Sequence, residues 1–285
     1  MGALSAHEHE YEEDEEGLPA WSLPAAGVDA ISLPATLPER VTAEWAWGGS
    51  TGAGARVCIL DSGIEAGHPL VGELEGAVGV SIGPDGETVI EEDVEGDTCG
   101  HGTACAGIVR SLAPDCSLFS VRVLGRGYTG SGRVLLAGLA WAIEQGFDVI
   151  NMSLSTTEHE HASSLHEIAD RAYFRGTMLV ASAHNMPVES FPWRFSSVVS
   201  VGSHEETDPL AYYYNPEPPV EFFARGVGVE VAWPGGGTLR CTGNSFATPH
   251  ISAVCALVLA KHPWLTPFQL KSVLHLTSLN VGSSS

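Results

Sequence analysis

Five short apolar runs, residues 56–60, 117–123, 148–152, 177–182 and 198–202, alternate with segments of helical character, and this alternation limits the folds open to the chain. Each run is too short and too continuously apolar to be an amphipathic helix, and such strands belong to sheets covered on both faces. Helices are predicted to open at His101 and to span residues 131–145 and 163–175. The repetition predicts an α/β domain with a mainly parallel sheet flanked by helices. In sheets of this kind, functional groups collect beyond the carboxyl ends of the strands. Asp61, Ser153 and Asn185 all fall at or just after such ends.

Three segments carry side chains suited to amide hydrolysis: Asp61-Ser-Gly-Ile, His101-Gly-Thr and Gly243-Asn-Ser245-Phe-Ala-Thr-Pro-His. That reaction needs an activated nucleophile, a base to take its proton and a buried acid to fix the base's tautomer. Ser245, His101 and Asp61 supply one of each. Asn185, after the apolar run 178–182, offers a side-chain amide to a developing oxyanion. Residues 251–259 are apolar on every face and predict a buried helix. Pro249 is tolerated only near the start of that helix, which places its beginning near Ser245.

The order Asp61, His101, Ser245 and the motifs around them resemble the subtilisin-like serine proteases. Asp61-Ser-Gly-Ile-Glu-Ala-Gly-His-Pro resembles the family's aspartate motif, and Gly100-His-Gly-Thr-Ala-Cys-Ala-Gly its histidine motif. The likeness runs from about Val41 to about Thr277. It implies a serine endopeptidase that forms an acyl-enzyme on Ser245, with Asn185 and the Ser245 N–H facing the oxyanion. It implies a peptide or protein substrate held along Gly130, Ser131 and Gly132 on one side and Ser153, Leu154 and Ser155 on the other. It implies no cofactor. Many relatives insert a calcium-binding loop into the helix after the histidine, but here residues 106–114 run directly onward, so that site is expected to be absent.

Three departures from the family pattern bear on specificity. His184 stands where glycine usually precedes the oxyanion asparagine, and Ser155 where glycine is common. Both positions flank the family's primary specificity pocket, so added bulk reshapes it. Asn244 replaces the threonine common before the nucleophile and is expected near the oxyanion as a further donor or substrate contact. The stretch 186–193 is shorter than the usual pocket wall; within it Glu189 is either a solvent-facing acid or an attractor for a basic residue.

Composition excludes several other functions. A formal net charge of −22 disfavours nucleic acid and anionic membrane surfaces. No stretch is long and apolar enough to span a bilayer. Two acidic runs concentrate the charge, residues 8–16 and 85–97. The first reads as a solvated tail. The second leads into His101 and is either a solvated loop or a specificity element. Glu158-His-Glu-His161 superficially resembles a metal cluster, but its polar connection reads as a solvated loop, and no metal is expected.

Residues 1–40 are acidic and then proline-rich, and are expected to form a flexible extension preceding a catalytic domain of residues 41–285. The extension is too short for the large prodomain of secreted relatives, and it resembles that of intracellular members. Residues 33–39 either cover the cleft or link without regulating. The chain shows no secretory leader, and its six cysteines are expected to be reduced thiols in the cytoplasm. Two other functions share the same residues. An acyl-enzyme intercepted by an amine makes a peptide ligase or macrocyclase, and a silent site makes a peptide-binding module.

Overall fold

The apolar runs all become strands, and their burial explains why they carry no polar alternation. A computed structural model describes Ser22 and residues 35–282. After a short helix α1 (Ala43–Trp47), the central strand β1 (Arg56–Asp61) is buried from Val57 onward. The edge hairpin β2 (Gly76–Ile82) and β3 (Thr88–Glu92) comes next, followed by α2 (His101–Leu112) and β4 (Ser117–Arg122). Beyond α3 (Gly132–Glu144) lie β5 (Val149–Met152), α4 (Ala162–Phe174), β6 (Met178–Ser182) and β7 (Val198–His204). The short strands β8 (Tyr212–Tyr214) and β9 (Phe222–Arg225) precede a separate hairpin, β10 (Val229–Trp233) with β11 (Gly237–Cys241). Three helices end the described chain: α5 (Asn244–Lys261), α6 (Pro267–Thr277) and α7 (Leu279–Gly282).

The nine strands β1–β9 form one sheet in the order β3-β2-β4-β1-β5-β6-β7-β9-β8. Only its outermost pairings, β2 with β3 and β8 with β9, are antiparallel. From β1 the order grows outward in both directions, through β4 on one side and β5 on the other. Such a reversal opens a crevice at the carboxyl ends of the two neighbouring strands. Register brings the candidate residues to one level there. Ile59 pairs with Asn151 and Asn151 with Val180, so Asp61, Ser153 and Ser182 lie along a single edge.

The principal core packs Leu139, Ile143 and Phe147 with Ile150, Met152 and Leu179. On the opposite face α5 crosses β5, β6 and β7 and packs against α2. Every residue of α5 from Phe246 to Leu259 is buried. Strands β2, β3 and β8–β11 were not expected from the sequence, because edge positions and mixed burial remove the continuous apolar signature. Helix α2 runs unbroken to Leu112, as read from the sequence. The expectations for the N-terminal extension, including its position over the cleft, concern residues that lie largely outside those described. Among the described residues no helix is long and apolar enough to cross a membrane.

Candidate active site

Asp61, the last residue of β1, is fully buried, and its carboxylate faces the first residue of α2. His101 Nδ1 lies 2.8 Å from Asp61 Oδ1 and 2.9 Å from Oδ2. A buried carboxylate at this distance holds Nδ1 as the protonated nitrogen and leaves Nε2 with a free lone pair. Burial alone would push the imidazole's pKa down, but the adjacent Asp61 carboxylate outweighs it and holds His101 well above the ordinary histidine range.

The start of α2 is fixed by a carboxylate that sequence reasoning placed in a loop. Asp97 Oδ1 accepts from Ser62 Oγ (2.8 Å) and from the N–H groups of Cys99 (2.9 Å) and Gly100 (2.7 Å). Its Oδ2 accepts from the Thr103 N–H (2.8 Å) and hydroxyl (2.6 Å). Ser62 Oγ in turn accepts the Gly102 N–H at 3.1 Å, which ties the helix start to the residue following Asp61. Gly102 permits this approach, since a Cβ there would sit 2.0 Å from the Gly63 carbonyl oxygen. The acidic run 85–97 is therefore not a plain solvated loop throughout. Thr88–Glu92 is an edge strand, Asp93 pairs with Arg122 at 3.0 Å, and Asp97 turns inward. Its available signal was an aspartate just ahead of a helix start.

Ser245 is the second residue of α5, where helical N–H groups lack intrahelical partners. Pro249 lies in the second turn of α5 and not the first as expected. Having no N–H, it leaves the Ser245 carbonyl without its helical donor. Ser153 Oγ fills that place at 2.8 Å, and Cys105 Sγ lies 3.7 Å from the same oxygen. Asn151 Nδ2 donates to Ser153 Oγ at 3.0 Å, and Ser252 Oγ donates to Asn151 Oδ1 at 2.8 Å, so a buried chain of hydrogen bonds ties α5 to β5. Cys105 is fully buried, and its thiol pKa is pushed up by that burial.

Asn185 Oδ1 accepts the Asn244 N–H at 3.0 Å. That bond orients the carboxamide and leaves Nδ2 as a donor with no partner among the described residues. A Cβ built on Gly243 would lie 3.4 Å from Ser245 Oγ and 3.5 Å from Asn185 Nδ2, so hydroxyl and amide flank the same glycine. Asn244 differs from expectation. Its Oδ1 accepts from the Ser203 N–H and hydroxyl, and its Nδ2 donates to the carbonyls of Ala183 and His184. The side chain braces the Asn185 loop, and it borders a neighbouring cavity, not the one containing Ser245.

A cavity of about 360 Å³ joins these groups. His101, Asn185 and Ser245 line it together with Gly130, Ser131, Gly132, Ser153, Leu154, Ser155 and His184. The Ser131 hydroxyl is engaged in capping α3, accepting the Val134 N–H at 3.2 Å. An added Cβ at Gly132 would lie 1.9 Å from His161 Nε2, so that ring would have to move aside. Gly130, Leu154 and Ser155 keep backbone groups without partners among the described residues, open to an extended peptide. Glu189 pairs with Arg194 outside this cavity. Glu158 and Glu160 are exposed and His161 is half-buried beside them, its Nε2 lying 3.0 Å from Glu158 and 3.6 Å from Glu160. All six cysteines are unpaired.

A serine on a helix N-terminus, an imidazole polarised by a buried carboxylate and an oriented amide in one cavity are the parts of an acyl-transfer site. The subtilase family profile matches residues 52–285. The chain belongs to the subtilase family. Subtilisin DY of Bacillus licheniformis is 31% identical over 267 residues, covering 88% of this chain and 92% of that protein. A thermostable alkaline protease of Halalkalibacterium halodurans is 34% identical over 248 residues, spanning 83% of this chain and 65% of its own length. A cold-adapted subtilisin-like serine proteinase of known structure superposes with a TM-score of 0.63 at 26% identity, over 79% of this chain and 82% of that one. This subtilase is a serine endopeptidase.

Proposed function

We propose that this subtilase cleaves peptide bonds through Ser245, and that its substrate is a specific peptide or protein of the cytoplasm. The observation that carries the proposal is the Asp61–His101 contact of 2.8 Å at the wall of the cavity that also holds Ser245 and Asn185. In this reading His101 Nε2 takes the Ser245 proton as Oγ attacks the substrate carbonyl carbon. The negative oxygen that results is met by Asn185 Nδ2 and the Ser245 N–H. His101 then passes its proton to the departing amine, the C–N bond breaks and an ester to Ser245 remains. Water repeats the attack with the same base and releases the acid. Ser245 and His101 Nε2 make no hydrogen bond to each other among the described residues, and such contacts commonly close only around substrate.

The extended substrate lies between residues 130–132 and 153–155, whose open backbone groups bind it without regard to side chain. Ser155 and His184 narrow the wall that receives the side chain nearest the cleaved bond, which favours a selective enzyme. The unpaired cysteines favour a reducing compartment. Mass spectrometry of a diverse peptide library, treated with wild type and with Ser245→Ala under reducing conditions and with EDTA, tests the proposal. Hydrolysed products from wild type alone are expected. Ligated or cyclised masses would replace hydrolysis by transpeptidation, and equal products from both proteins would remove Ser245 from the reaction.

A further inference from the structure

Among the described residues Tyr128 is the sole non-glycine with a positive φ, 60°. An L-residue with a Cβ is disfavoured there, whereas glycine is not. The twist comes from a tight loop closed by Gly125 N–H to the Thr129 carbonyl at 2.7 Å and by the Thr129 hydroxyl to the Arg126 carbonyl at 3.1 Å. A glycine at 128 would suit that loop, as Gly127 does beside it. Nor does the ring serve the core, since Tyr128 is 54% exposed. What the side chain does is stand edge-on to His101, ring centroids 5.9 Å apart at 88°, while Phe246 packs against the same imidazole at 5.3 Å. Backbone strain maintained for an exposed ring at an active site points to function.

Strand alternation defines that function. In the function proposed above, the residue whose carbonyl meets Ser245 directs its side chain toward Ser153–Ser155 and His184, which line the same cavity. Alternation turns the residue before it the other way, and His101, with Tyr128 edge-on beside it, lines the same cavity. We infer that Tyr128 is a specificity-determining residue that restricts the position preceding the cleaved residue to small side chains. The inference rests on Ser245 being the nucleophile.

The test uses paired peptides that differ only by Ala or Phe at that position, with kcat/KM measured for wild type, Tyr128→Gly, Tyr128→Ala and Tyr128→Phe. Wild type and Tyr128→Phe are expected to favour the Ala peptide strongly. Tyr128→Gly and Tyr128→Ala are expected to raise kcat/KM for the Phe peptide about tenfold and to leave the Ala peptide within about twofold. Tyr128→Gly is also expected to melt no lower than wild type, because glycine relieves the twist. An unchanged Ala-to-Phe ratio would overturn the inference, and so would equal loss on both peptides, which would make Tyr128 a support for His101. A fluorophosphonate separates this failure from failure of the underlying reading. Labelling of wild type but not Ser245→Ala with an unchanged ratio sinks the role of Tyr128 alone; no labelling of either protein sinks both.

Discussion

The buried base and the exposed rim of the cleft are built on different principles. On one side Asp61, Ser62, Asp97, His101 and Thr103 are linked through carboxylates that accept several hydrogen bonds each, and Asp61 has no exposed surface. The rim instead carries Tyr128, 54% exposed, on a short loop closed by the Gly125 N–H to the Thr129 carbonyl. Proton transfer requires tenths of an ångström and is anchored in the sheet and in α2. Selection among peptides requires shape and is left to loops, which change without disturbing the sheet.

Substitutions on the buried side are expected to cut the rate deeply and leave binding alone. Ser245→Ala is expected to lower kcat by on the order of 10⁶, the loss measured in subtilisin itself, with KM little changed in steady-state assays on a cleaved peptide. Asp61→Asn removes the charge that orients and raises the imidazole, at an expected cost of about 10⁴ in kcat, as in other serine proteases. Its pH profile sharpens the comparison further. Catalysis needs neutral His101, so in wild type activity falls as pH drops through the raised His101 pKa. In Asp61→Asn the carboxylate's upward pull on the ring is lost and the acid limb moves to lower pH. Stability responds with the opposite sign. The Asp61–His101 pair contributes fully below the unfolded histidine pKa and is lost as pH rises through the folded one, which denaturant titrations across that window would detect.

Asn185→Ala is expected to cost about 10²–10³ in kcat, the range known for subtilisin, and to leave kinetics otherwise intact. Asp97→Ala is the smallest effect and of another kind. It removes the carboxylate that holds the start of α2 and is expected to lower the unfolding free energy by about 2 kcal/mol, read from urea midpoints. An Asp97→Ala protein with full stability would show the buried side to be less tightly coupled than its hydrogen bonds indicate.

Much of this was legible in the residue order. Strands buried on both faces, β1, β5, β6 and β7, have continuous apolar sequences, and the motifs sit at their ends. Asp61, His101, Asn185 and Ser245 were singled out because hydrolysis demands particular chemical groups in particular local settings, and the structure sets Asp61 against His101 and the other three on one cavity. Asn244 was misplaced because an amide's partners depend on tertiary contacts with Ser203 and Ala183, distant in sequence. Asp97 was hidden in a run of acids where composition suggests solvent. Tyr128 was invisible because a backbone twist leaves no trace in residue type when the residue is not glycine.

The Ser245 carbonyl, released by Pro249 and taken by Ser153, gives the nucleophile's peptide unit an anchor just beyond the end of β5 and not in its own helix turn. Thermal fraying of the first turn of α5 therefore cannot by itself displace Ser245; the bond to the sheet must also break. Inactivation on heating is expected to coincide with loss of the central sheet, which activity and circular dichroism followed through one thermal ramp would compare.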